Sequence, residues 1–205
     1  MRKRYLLGAL ALIACLIVGG SVAYFSAQDS GENAFAMGKV KIELTEDGWD
    51  KDADHIIDKG AVFKKAPKVK NEGNVNCYAR INVKVSDYEI LKFAVQKDAA
   101  PDEDFEPDQL FNNLDSENWK SFGDPIYEKD EEDNILSVTY RYVTKKELTP
   151  GETSSHLFDA IKFPENMTGD ISDIGEEFVV SVSADAIQSE TYKSADEAFE
   201  AYDKL

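Results

Sequence analysis

Few residues of this chain are of the kind that does chemistry, and their spacing limits what each can do. His55 and His156 are its two histidines. They lie far apart in sequence and neither stands in an HExxH pattern. A hydrolytic zinc needs three protein ligands and an open position, so both read as surface or turn residues. "DKDADHIIDKGA", Asp50 to Ala61, begins like a calcium loop through Asp50, Asp52 and Asp54. An EF-hand wants glycine where His55 stands and glutamate where Ala61 stands. The stretch therefore reads as a solvated acidic turn, with a looser calcium site as the alternative. Cys77 falls in the inward register of a strand, where a thiol fills space unless a neighbour lowers its pKa. No serine stands in GxSxG, and there is no glycine-rich phosphate loop. Asn166-Met167-Thr168 matches a glycosylation acceptor, a pattern common by chance. Carboxylate pairs say little about glycoside chemistry in a chain with 40 Asp and Glu against 23 Lys and Arg. Together these residues point to no catalytic centre, no cofactor and no enzyme.

The elements around them point outside the cell. Arg2, Lys3 and Arg4 precede an uncharged run from Tyr5 to Phe25, in the order of a secretory signal. Ser21-Val22-Ala23 offers a small-x-small site, which places the cut between Ala23 and Tyr24. A retained membrane helix competes, because the run is just long enough to span. So does lipidation at Cys15, since "LIAC" has the form of a lipobox, although the residues after it stay apolar. Cleavage removes three positive charges and takes the formal net charge from −17 to −20. Such a surface repels nucleic acid and anionic membranes. It also leaves Cys77 as the one cysteine, with no intramolecular disulfide to form.

Beyond the leader, polarity alternates with period two, the mark of strands with one face in a core. Val40, Ile42 and Leu44 share a face. So do Cys77, Ala79, Ile81, Val83 and Val85, with Tyr78, Arg80, Asn82 and Lys84 opposite. Leu136, Val138, Tyr140 and Tyr142 form a third set, and Phe178, Val180, Val182, Ala184 and Ala186 a fourth. Weaker strands are expected at "AVFKKAPKVKN", "SFGDPIYEK" and "SHLFDAIKF". Asn71-Glu72-Gly73-Asn74 and Pro150-Gly151 are turn formers. The expected fold is an all-β antiparallel sandwich over 37–205. Two regions depart from the pattern. The acidic stretch 91–133 reads as an insertion with a short helix that turns Leu110, Phe111, Leu114 and Trp119 inward. "SADEAFEAYDKL", 194–205, reads as a closing helix with Ser194 and Glu197 as a capping box. Ala195, Ala198, Phe199, Tyr202 and Leu205 line its apolar face.

Three blocks carry a resemblance. "GGSVAYFSAQDSGENAFAMGKVKIEL" holds Asn33, Phe35 and Gly38 in an N-x-F-x-x-G arrangement. "GAVFKKAPKVKNEGNVNCYARINVKV" holds Lys65, Pro67, Val69, Asn71, Gly73, Tyr78 and Arg80. "LTPGETSSHLFDAIKFP", followed by "VSVSADAIQSE" and "SADEAFEA", forms the third. They resemble the TasA/camelysin family of Gram-positive secreted proteins, with a departure at Lys59, where relatives often show proline. The resemblance implies a jelly-roll-like sandwich and leader removal by a SipW-type signal peptidase. It also implies assembly into biofilm-matrix fibres by donor-strand exchange, in the matrix or at the cell surface, with an accessory matrix protein as a further partner. The donor is then the exposed segment 24–36, with Tyr24, Phe25, Ala34 and Phe35 as its apolar residues. Folding back of Phe35 and Met37 onto their own sandwich is the competing use. The metallopeptidase label that some members carry is a second function, and a monomeric surface binding module a third.

Overall fold

The computed structural model describes residues 38–50, 57–86, 109–163, 165 and 178–204. These belong to a compact unit beginning at Gly38. Ten strands follow in order: β1 (Ile42–Asp47), β2 (Val62–Lys64), β3 (Ala66–Asn71), β4 (Cys77–Ser86) and β5 (Phe111–Asn112). Then come β6 (Trp119–Ser121), β7 (Ile126–Lys129), β8 (Ile135–Thr144), β9 (Ala160–Lys162) and β10 (Val180–Gln188), and a helix, α1 (Ala195–Tyr202). The fold is an all-β antiparallel sandwich, as the period-two segments require.

One layer is a five-stranded sheet in the order β10-β4-β8-β6, with β7 also on β8. The other layer is built from β1-β3 and from β2-β9-β5. β2 and β3 are halves of one run interrupted at Lys65. The chain from Gly151 to Leu157 lines the other side of β3, where Ser154 N–H donates to Val69 O and Leu157 N–H to Pro67 O, both at 2.8 Å. Between the layers lie Ala79, Ile81, Val83, Val138, Tyr140 and Tyr142 of the large sheet. Val69, Phe111, Leu157, Phe158 and Ile161 meet them from the other side. Phe111 stacks on Phe158 at 4.7 Å and meets Tyr140 edge-on at 6.0 Å. Such ring pairs contribute about 0.5–1.5 kcal/mol beyond the area they bury.

Four features differ from the sequence reading. Within the acidic stretch, β5 and the start of β6 at Trp119 are strands where a short helix was expected, whereas β7 falls within "SFGDPIYEK", where a strand was expected. Leu110, Phe111 and Trp119 are buried as expected, and Leu114 packs against the core. Residues 109–133 thus supply β5, β6 and β7 to both layers. Leu136 leaves the inward set and is 49% exposed. Glu128 pairs with Ser137 and Lys129 with Ile135, so Leu136 is the extra residue of a bulge. A one-residue slip exchanges faces, and Ile135 packs inward in its place. Tyr78 and Arg80 lie on the outward face of β4, yet both are buried, because α1 covers that face. Ala195, Ala198 and Phe199 close there over Tyr78, Phe122 and Val143. Tyr202 sits at the margin of this cover, 47% exposed. Finally, the capping box is displaced by one residue. Ser194 Oγ accepts from Glu197 N–H, but Glu197 accepts from Lys193 N–H rather than from Ser194.

Candidate assembly edge

The residues with chemical potential take structural places. Cys77 is fully buried, and burial pushes its thiol up to about 11. It is a protonated space-filler, not a nucleophile. His156 Nε2 lies 3.0 Å from Asp47 Oδ2 at the surface. Asp50 is exposed. Asp52, Asp54, His55 and Asn166 lie outside the described residues, as do Ala23, Tyr24, Phe25, Ala34 and Phe35. Among the described residues, no group of three or more His, Cys, Asp or Glu could hold a metal.

The middle block of the resemblance is also structural in its residues. Lys65, buried, pairs with Glu46 at 2.6 Å and lies 4.2 Å from the Trp49 ring. Asn71 donates from Nδ2 to the Val75 and Leu148 carbonyls, and its Oδ1 accepts from Gly73 N–H. Gly73 must be glycine, since a Cβ there would lie 2.2 Å from the Lys39 carbonyl oxygen. That contact lets residues 39–41 run beside 72–74, where Glu72 N–H donates to Lys41 O and Asn74 N–H to Lys39 O. Arg80, only 6% exposed, reaches both Asp185 of β10 and Asp203 after α1. Its guanidinium lies 4.7 Å from the Phe199 ring.

What the fold leaves open is an edge. Among the described residues, β10 has β4 on one side and no strand on the other. It is nine residues long and pairs with β4 without a register shift. Its sequence, "VSVSADAIQ", contains no lysine and no proline. Its one charge, Asp185, is held by Arg80 and by Asn82 Nδ2 at 2.9 Å. Edge strands that must stay unpaired are usually short, charged, bulged or broken by proline. The opposite side of the same sheet follows that rule: β6 and β7 have three and four residues, carry Lys120 and Lys129, and include the bulge. β1 carries Glu43, Glu46 and Asp47. β10 has none of these guards.

The inner face of β10 is equally unfinished. Val182, Ala184 and Ala186 are half-buried, whereas the equivalent residues of β4 are fully buried. Across from them Val40, Ile42 and Leu44 are half-buried too. All six pack against the core. A cavity of about 50 Å³ is lined by Trp49, Phe63, Phe163, Phe178 and Val180 among others. Alternation along 178–186 made the inward set legible in the sequence. The unguarded outer edge was missed, although the lack of lysine and proline in "VSVSADAIQ" carried the signal. No family model, no curated protein and no solved structure matches the chain.

Proposed function

We propose that this chain is a secreted structural subunit that assembles head-to-tail into extracellular fibres. The segment 24–36 of one copy adds as a strand to the next copy, after a SipW-type peptidase frees it by cutting between Ala23 and Tyr24. The observation that supports this reading is the β10 edge, long, unbulged and unguarded. Main-chain hydrogen bonds along such an edge supply affinity, and alternate side chains of the added strand supply register. A head-to-tail contact that does not close produces a filament. The resemblance to the TasA/camelysin family agrees with it and adds the biofilm matrix as the setting.

The test is negative-stain microscopy of protein beginning at Tyr24, beside a version lacking Tyr24 to Ser30. The first should form filaments and the second should stay a folded, soluble monomer. Filaments of the same form from the shortened chain would refute strand donation. A fatty-acylated start at Cys15 would refute the processing step.

A further inference from the structure

We infer that a second copy of this chain pairs its β10 with β10 of the first about a two-fold axis at Ala184, so that the two five-stranded sheets become one. This self-pairing does not depend on the strand donation proposed above, although it occupies the same edge.

The free edge can be specified group by group. The ladder between β10 and β4 continues past the strand at both ends: Ser86 N–H donates to Val179 O and Ser189 N–H to Asn76 O, each at 3.0 Å. Cys77, opposite Gln188, exchanges both its backbone bonds with Leu148 instead, at 3.0 and 2.7 Å. Hydrogen-bonded and non-hydrogen-bonded pairs alternate along an antiparallel ladder. The odd-numbered residues of β10 therefore turn their backbone groups to β4, and Val180, Val182, Ala184, Ala186 and Gln188 turn theirs outward. Among the described residues, no backbone group meets Val182, Ala184 or Ala186 from that side.

The strand is its own complement. Ala184 is the middle of the nine residues, so an axis there pairs the full length of β10 with itself. Val180 then faces Gln188, Val182 faces Ala186 and Ala184 faces its counterpart, with both outward groups of each residue bonded. On the inner face the larger Val182 meets the smaller Ala186. On the outer face Ser181 meets Ile187, and Ser183 meets Asp185. The one charge of the strand thus lies across from a hydroxyl, and Arg80 and Asn82 of its own chain already hold it. An axis at Asp185 would instead set two like charges directly opposite, which is destabilising. A strongly basic or acidic partner finds no free charge to recognise along β10. An identical strand matches it in length, neutrality and side-chain size. One strand pair is a small interface of the transient class, and the formal net charge of −17 opposes it. The dimer therefore forms at high concentration and in salt, and gives way to monomer at the dilution used for microscopy. It is closed, because a two-fold contact uses the same patch on both copies.

The test uses the mature chain lacking Tyr24 to Ser30, which has lost much of the proposed donor. Its sedimentation should move from monomer toward dimer between micromolar and submillimolar concentration. Oxidative cross-linking with diamide then reads the axis. The Cα atoms of the two Ala184 residues would lie about 5.5 Å apart across it, within disulfide reach. The two Ser181 residues, each opposite Ile187, would lie about 20 Å apart along the ladder. Ala184→Cys should therefore form a linked dimer at least about fivefold faster than Ser181→Cys, although Ser181 is the more exposed. Cys77, fully buried, does not compete. Equal or faster linkage through Ser181→Cys, or a chain that stays monomeric at every concentration, would overturn the self-pairing. Either result beside filaments from the unshortened mature protein would leave strand donation standing; a linked Ala184→Cys dimer without such filaments would do the reverse.

Discussion

Arg80 shows how much one side chain on an outward strand face can organise. Its Nη1 meets both oxygens of Asp203 at 2.8 and 2.9 Å, while Nε and Nη2 meet Asp185 at 3.1 and 3.0 Å. Arg141 shares Asp203 at 3.1 Å. Removing the Arg80 guanidinium strands two partly buried carboxylates, so Arg80→Leu should cost about 2–4 kcal/mol. The measurement is the urea midpoint at unchanged slope. Arg80→Lys should recover less than half of the loss, because a point charge cannot serve both acids in a fork; full recovery would mean that charge alone matters. Surface carboxylates predict the acid limb of stability. The Lys68 ammonium, then His156, holds Asp47 below the usual carboxylate range; Lys41 does so for Glu72, and Lys84 for Glu128. Depressed in the fold, these groups stabilise above their unfolded values, and that contribution is lost as pH falls through their folded values. Melting temperature should thus be level from neutral pH to about 4 and then decline. The decline should be shallow, since these pairs are solvated. A fall beginning near pH 6 would contradict the assignment. Cys77 behaves oppositely: raised from 9.0 to about 11, it withdraws stability only as pH climbs between those values. At neutral pH maleimide should label it in urea and not in the native protein.

At the scale of elements, β10 makes a direct prediction. Val182→Lys places a charge on the inner face of the open edge, the device by which natural edges refuse partners. Filaments should vanish while the monomer melts within a few degrees of the parent, because Val182 is only half-buried. Unchanged filaments would place the acceptor elsewhere. Long elements were legible in the sequence and short ones were not, for reasons visible in particular residues. β4 and β10 hold period two over ten and nine residues, and β8 holds it from Val138 to Tyr142, long enough for a face to declare itself. β5 has two residues, and Leu110, Phe111 and Leu114 fit helical spacing as well as they fit their actual places. The bulge at Leu136 leaves no mark in composition. The burial of Arg80 depends on a helix more than a hundred positions away. Of the candidate assembly site, the inner faces of β1 and β10 could be read. Their juxtaposition could not, because strand order is a property of the whole chain.

For the whole molecule, charge and connectivity set the behaviour. The formal net charge, −17 for the chain and −20 for the proposed form beginning at Tyr24, opposes close stacking. Added salt should therefore hasten filament growth by screening, with the largest change between low and physiological ionic strength. Light scattering at 10 mM and 150 mM salt checks this, and slower growth in salt would mean that attraction between opposite charges drives assembly. A chain lacking Tyr24 to Ser30 keeps β10 but loses much of the donor. In the proposed filament it can receive a strand and cannot pass one on, so substoichiometric amounts should shorten filaments. Phe25→Asp should weaken assembly without moving the melting temperature of the monomer.

The unbroken ladder between β10 and β4 bears on tension. A strand laid along β10 would deliver any pull on the fibre lengthwise. β10 would pass it to β4 through nine registered pairs, and β4 to β8 through seven more. A ladder loaded lengthwise shares the force among its rungs, whereas one pulled from its end parts one rung at a time. Arg80 ties the same strand to the turn after α1, which spreads the load to the outer layer. The weakest link in such a cable is the donated strand itself, held by one edge. Stretched in an optical trap, a filament should separate between subunits before any subunit unravels; unravelling first would mean that the load follows another route.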